Sequence, residues 1–274
     1  MYETGRDSMN LHQLYLTEND CYKANRWITP KGVMVHSTGA ENPNLKRYVG
    51  PDDGFLGVNQ NNNDWNRPGV GACVHAFIGL LADGTIATYQ TLPWNMRGWH
   101  CGDDANSTHV SFEICEDDLT DPEYFAAVYR EAVELTAYLC EMYGLDPIED
   151  GVVICHAEGA RLGIASNHGD VEHWFPRFGK SMDDFRQAVA EEMEDNHMTR
   201  YERVTDIPDS YGWRGVVDDL MTAGVINGDG SDPDGNNDVI DLSQDMVRML
   251  IFNYNAGLYD AALEAAGLDP GKYK

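Results

Sequence analysis

The sequence predicts an α/β domain on a mixed central β-sheet flanked by helices, followed by a small, mainly helical C-terminal domain. Three observations predict it. Short apolar runs rich in β-branched and aromatic residues recur between Gly32 and His156, bounded by Gly, Pro, Asp or Asn. Longer segments with apolar residues at helical spacing are interleaved with them and follow them. An Asp83-Gly84 pair between two neighbouring runs marks a hairpin, so at least one strand pair is antiparallel and the sheet is mixed.

The runs are GVMVH (32–36), CVHAFIGLL (73–81), TIATYQ (85–90), HVSFEIC (109–115) and GVVICH (151–156), read as strands of one sheet. The favoured two-residue hairpin turn requires positive φ at both Asp83 and Gly84. Segment 50–71, dense in Gly, Asn and Asp, lies between core strands, and a loop of that length reads as a binding loop. Between Pro122 and Tyr143, Phe125, Val128, Tyr129, Ala132, Leu135 and Leu139 form a helical stripe; Thr120 and Glu123 are spaced as a capping box, and Gly144 is the stop. A second helix is expected from about 182 to 193, capped by Ser181 with Asp184. The periodicity changes after EEMEDNHMTR, which gives a first domain over 1–198 and a C-terminal domain over 199–274.

Composition narrows the function classes. With 42% hydrophobic residues in 274, the chain can bury a core. Its 19 basic and 46 acidic residues give a net charge of -27, which argues against nucleic acid and anionic lipid as partners. No basic segment followed by an apolar run opens the chain, and no stretch approaches the length of a membrane span. The expectation is a protein without membrane insertion, made in the cytoplasm without a signal peptide. Six cysteines form no CxxC pair and are read as mostly reduced and partly buried, with Cys73, Cys115 and Cys155 in the apolar runs behaving as small hydrophobes.

Metal chemistry is suggested by histidine placement. His36 and His156 stand at the C-terminal ends of two strand runs, so they can be neighbours in a sheet. A catalytic zinc needs three protein ligands and an open position. The third ligand must come from the loop after His156, where Asp170, His168 and His173 compete. Taken singly, each of these histidines reads as a hydrogen-bonded structural residue, and His75, inside a strand, stays so. Glu113, alternating with Phe112 and Ile114, needs a partner, a metal or a catalytic use, since burying it alone is costly. Glu116, in the solvated-looking EDD, is the weaker carboxylate.

The segments KGVMVHSTGA, ADGTIATYQTLPWNMRGWHCG, HVSFEICED and ICHAEGARLGIASNHGDVEHWFPRFGK resemble the zinc-dependent N-acetylmuramoyl-L-alanine amidases of the type 2 family, relatives of the peptidoglycan recognition proteins, and prophage endolysins in particular. The resemblance covers about residues 20–195. It implies Zn2+ held by His36, His156 and Asp170, with Asp170 favoured because an aromatic pair, Trp174 and Phe175, follows it. It implies Glu113 as general base. His168 stands where many members carry an oxyanion-contacting lysine, and an imidazole donor can fill that role with greater pH sensitivity. RGWHCG matches a groove-lining motif, which makes His100 a muramyl-peptide contact and Trp99 either a sugar contact or core packing. The implied reaction is hydrolysis of the amide between N-acetylmuramic acid and L-alanine in bacterial peptidoglycan, performed by an endolysin that acts on the wall after release.

Two other classes compete with this one. A non-catalytic peptidoglycan-binding protein should lack one of His36, His156, Asp170 and Glu113, and all four are present. A cysteine hydrolase built on Cys155 with His156, or Cys101 with His100, is disfavoured for the first pair because adjacent strand residues face opposite ways. The C-terminal part, from VTDIPD through AGVINGDG to DLSQDMVRML, resembles a single S-layer-homology unit, expected to bind wall polymer, to form a homodimer or to cap the catalytic domain. Its acidic loop GDGSDPDGNNDVID fails the calcium-loop register and reads as a solvated turn.

Overall fold

The computed structural model describes residues 9–198, 200–208, 212–228 and 239–273. The chain divides into two compact units, Met1–Glu192 and Met193–Lys274. In chain order the first carries β1 (Leu11–Gln13), α1 (Asp20–Ala24), β2 (Gly32–Ser37), β3 (Ala76–Leu80), β4 (Ile86–Gln90), β5 (His109–Ile114), α2 (Pro122–Tyr143), β6 (Val153–Cys155), α3 (His156–Arg161) and the start of α4 (Met182–Met198), which runs past the unit's end at Glu192. The strands form one sheet in the order β1-β4-β3-β5-β2-β6. All neighbours are parallel except β3 and β4. This is the mixed, helix-flanked sheet that the sequence predicts.

Several local expectations need correction. Between β3 and β4 only Gly84 has positive φ, at 88°. Asp83 instead uses its carboxylate to accept from the Thr85 amide and hydroxyl at 3.0 and 2.8 Å, closing a longer turn. Asp121, not Thr120, caps α2, accepting from the amides of Glu123 and Tyr124 at 2.9 and 3.1 Å. Proline at the first helical position needs no such partner. Gly144 ends α2 in the left-handed conformation, as expected. Strand β1, three residues long, is too short to show a period in the sequence. Its flanks are tied down by Leu14 donating to the Gln90 carbonyl at 2.9 Å and Asn10 donating to Glu131 at 3.1 Å.

Most cysteines are free and buried as expected, but one pair is not. Cys21 and Cys73 form a disulfide, while Cys101, Cys115, Cys140 and Cys155 are free and buried. With a sequence separation of 52 between the pair, no local spacing signals it. Segment 50–71 folds back on the core: Leu56 is buried with Tyr48, Phe77 and Tyr89, and Trp65 packs edge-on to Phe77. Its Asp53 accepts from the Tyr89 hydroxyl at 2.7 Å.

Two packing features position the later site. Gly159 lets α3 approach β2, because a β-carbon there would lie 2.8 Å from the Met34 methyl and 3.0 Å from Ala165. Beyond α3, Trp174 and Phe175 insert beside α2, with ring centroids 5.5 and 5.7 Å from Phe125, and Phe178 stacks on Phe125 at 4.3 Å. Offset and edge-on contacts of this kind add to the area buried.

The second unit comprises β7 (Arg200–Arg203), α5 (Trp213–Thr222), β8 (Val239–Ser243), α6 (Gln244–Asn255) and α7 (Asp260–Ala265). Strands β7 and β8 pair antiparallel. Val216, Val217, Leu220, Val247, Ile251 and Tyr254 are central to its own core. The greater part of the acidic loop tested for calcium, 229–238, lies outside the described residues. Among the described residues, no helix is long and apolar enough to cross a membrane.

Phe125 carries the contacts that hold the chain after Asp170. Phe125→Ala is expected to lower unfolding free energy by about 3–5 kcal/mol, the usual cost of deleting a packed aromatic. Urea unfolding followed by tryptophan fluorescence checks this, and a loss under about 1 kcal/mol would show that the cluster is not packed as described.

Candidate metal centre

Parallel pairing sets the first two residues of the site. In the β2–β5 register His36 lies opposite Glu113, so both side chains emerge on one face at the C-terminal ends of their strands. On its other side β2 pairs with β6, with Val35 opposite Cys155. His156 is the next residue. It is not a strand residue but the first of α3.

The start of α3 is fixed by charge. Glu158 accepts from the Cys155 amide at 3.0 Å, as in a capping box, and pairs with Arg186 of α4 at 3.0 Å. Arg186 also donates to the Val153 carbonyl at 2.9 Å, tying α4 to β6. Arg161 of α3 pairs with Glu172 at 2.6 Å, in the short turn that contains Asp170.

His36 and His156 converge on Asp170. The Nδ1 atom of each ring lies 3.0 Å from Asp170 Oδ2. Asp170 has φ of 38°, a left-handed conformation that an aspartate adopts more readily than most residues. Burial alone would raise its carboxyl, but hydrogen bonds from His156 and His36, with their charge, hold it well below the ordinary range. Burial lowers the His36 ring, and Asp170 offsets part of that.

These three donors suit a metal ion. Two imidazole nitrogens and one carboxylate oxygen lie within 4.8 Å of one another, the donor set of a catalytic zinc with one position left for water. Among the described residues no other such group is found. His168 and His173 are not in it. The His168 ring stands 4.6 Å from that of His156, on the exposed side, and His173 pairs with Glu116 at 3.1 Å.

Glu113 faces this cluster unpaired. Its Oε2 is buried without a hydrogen-bond partner, although the residue as a whole is only partly covered. Burial, reinforced by the carboxylates of Asp170 and Glu116, pushes its carboxyl well above the usual value. Glu116 is not solvated as its charged neighbours suggest: it is 3% exposed and accepts from Ser37 Oγ at 2.6 Å. Nothing in a run of acidic residues signals that the first one turns inward.

His100 Nδ1 lies 3.1 Å from His36 Nε2, while its own Nε2 is buried and unpaired. Burial, with repulsion from His36 and His75, lowers this ring well below the ordinary value. Trp99 is half-buried against Cys21, Cys73, Leu92 and Met96. Ser166, which the sequence does not single out, lies between His156 and His168, at 3.1 and 3.2 Å from them. It sits in a polar loop with no periodicity to mark it. The cysteine alternative loses its nucleophile, because burial pushes Cys155 up to about 12 and raises Cys101. His75 is structural, accepting from the Ser111 amide at 3.0 Å and donating to the Met96 carbonyl at 2.7 Å.

Residues 26–173, more than half of the chain, match the family described as N-acetylmuramoyl-L-alanine amidase. No curated protein matches. Among solved structures, the Staphylococcus aureus hydrolase AmiA in complex with its ligand is similar, at 19% identity over 68% of this chain and 84% of that one, with a TM-score of 0.50. A mutant endolysin from Bacillus subtilis is 21% identical over 66% of this chain and 99% of that one, with a TM-score of 0.45. The endolysin N-acetylmuramoyl-L-alanine amidase LysCS from Clostridium intestinale is 16% identical over 58% and 99%, with a TM-score of 0.33.

Burial holds His75 at about 4 in the folded protein, against 6.5 for a free ring. The unfolded chain therefore takes up this proton first, so the stability given by the neutral ring is full above 6.5 and drains away as pH falls towards 4. That loss is on the order of 3 kcal/mol. Urea unfolding of wild type and His75→Gln across this range should show the steeper fall in wild type, and equal slopes would contradict the assignment.

Proposed function

The chain belongs to the N-acetylmuramoyl-L-alanine amidase family, and from that premise we propose that it is a zinc hydrolase of the amide joining the lactyl group of N-acetylmuramic acid to L-alanine in peptidoglycan. The observation that carries the reading is the convergence of His36 Nδ1, His156 Nδ1 and Asp170 Oδ2 beside a partnerless buried carboxylate. His36, His156 and Asp170 would hold the ion. Zinc, when bound, makes water more acidic and polarises the scissile carbonyl.

The other roles belong to the chain's own groups. Glu113, with its affinity for protons raised by burial, accepts the proton of the attacking water and returns it to the departing amine of L-alanine. His168, exposed beside His156, presents a ring N–H to the oxygen on which negative charge develops. His100, 3.1 Å from His36, is the muramyl-peptide contact in this reading. Trp99 packs on the disulfide cluster, with its half-exposed face left for the sugar. The biological setting we propose is that of an endolysin, made in the cytoplasm and acting on the wall after release. The C-terminal unit, by its likeness to an S-layer-homology module, would hold the enzyme on wall polymer.

Digestion of purified peptidoglycan, with and without a chelator, tests this reading. Mass spectrometry should find stem peptides with a free L-alanine amine, lost on chelation and restored by zinc. Glu113→Gln should lower kcat by about 10²–10⁴. Products cut between sugars or within the stem, or turnover indifferent to both treatments, would refute it.

A further inference from the structure

Glu116 joins the two segments that carry His36 and Asp170. It follows the end of β5 by two residues, and its Oε1 accepts from Ser37 Oγ at 2.6 Å and lies 3.1 Å from His173 Nε2. Ser37 is the residue after His36, and His173 closes the short turn Asp170–His173. Successive strand residues point to opposite faces, so Ser37 leaves β2 on the side away from His36. The link is therefore made behind the converging donors, and none of its three side chains belongs to that set.

The carboxylate is placed by the sheet and by α2. The Cys115 amide donates to the Ile78 carbonyl at 2.8 Å, and the Cys115 carbonyl accepts from the Tyr124 hydroxyl at 2.6 Å. The Glu116 amide itself donates to Thr38 Oγ1 at 3.1 Å, so the backbone on both sides of the link is fixed before the side chain acts. Stability gives little reason for a carboxylate here. Glu116 is 3% exposed, and among the described residues no lysine or arginine pairs with it. Withdrawing a carboxylate from water is costly, and hydrogen bonds offset that cost only in part.

We propose that Glu116 is a positioning residue that braces the end of β2 to the Asp170 turn, and so holds His36 and Asp170 at metal-binding distance before an ion arrives. The Arg161–Glu172 pair ties that turn to α3, and the aromatic cluster ties it to α2. Glu116 adds a tie to β2, the strand of His36. Both partners meet one oxygen, so a shift of either segment is felt by the other. Partners lying outside a ligand set commonly orient the ligands in this way and change metal affinity when removed. The inference rests on the proposed metal reading for its effect on zinc, but not for the brace itself.

Two measurements on the full-length protein test it. Hydrogen exchange of the metal-free protein, read by mass spectrometry, should be faster over residues 170–174 in Glu116→Ala than in wild type, with β3 and β4 unchanged. In competition with a chromogenic chelator, Glu116→Ala should bind zinc about 10- to 100-fold more weakly. Glu116→Gln, whose amide oxygen can still accept from Ser37 and His173, should keep both properties near wild type. His173→Ala should also weaken zinc binding, and combining it with Glu116→Ala should add little, because both changes cut one link. Exchange over 170–174 that stays at the wild-type rate in Glu116→Ala, or losses of zinc affinity that simply add in the double variant, would overturn the inference. Faster exchange over 170–174 in a protein whose wild type takes up no zinc would refute the metal reading while supporting the brace.

Discussion

The site depends on strand β2 being paired in parallel on both sides. That pairing places His36 beside Glu113 on β5 and brings the end of β6 alongside, so that His156 follows one residue later. Parallel strands present their C-terminal ends at one edge, where open α/β sheets gather ligand-binding groups. Slipping β5 by one residue would turn Glu113 to the other face and put Phe112 or Ile114 in its place. Proposed metal ligand and proposed base are thus set by backbone hydrogen bonding before any side chain takes part.

The third of the converging residues, Asp170, is positioned by different means. Asp170 lies outside regular strands, in a left-handed conformation that costs on the order of 1 kcal/mol or more. Two anchors hold it there. The Arg161–Glu172 pair fixes the turn to α3, and Trp174 and Phe175 bury themselves against Phe125. An exposed ion pair alone contributes little. The aromatic cluster stabilises the turn more than the ion pair does, so the proposed metal ligand Asp170 depends on packing at the opposite end of its own turn.

Much of this was legible in the sequence. The five apolar runs, the hairpin pair and helix α2 announce themselves because strand and helix periods are printed in GVMVH, HVSFEIC and the Phe125–Leu139 stripe. What was hidden is long-range or local-geometric. The Cys21–Cys73 disulfide joins residues 52 apart in the chain, and the three-residue β1 gains its place only by pairing with β4. Glu116 looked solvated among Asp117 and Asp118, yet Ser37 and His173 hold it inside. At the site, His36, His156 and Asp170 followed from strand-end placement and the family resemblance, and the structure brings them together. Ser166, in contact with the Cys101 carbonyl, His156 and His168, could not be read, since it sits in a polar loop with no periodicity.

The central claim, that His36, His156 and Asp170 form one metal centre, is most directly tested by anomalous diffraction at the zinc absorption edge from crystals grown with zinc. The account predicts one peak in each chain, about 2.0–2.2 Å from His36 Nδ1, His156 Nδ1 and a carboxylate oxygen of Asp170. A peak ligated by His168 or His173 in place of Asp170, or no peak among these side chains, would contradict it.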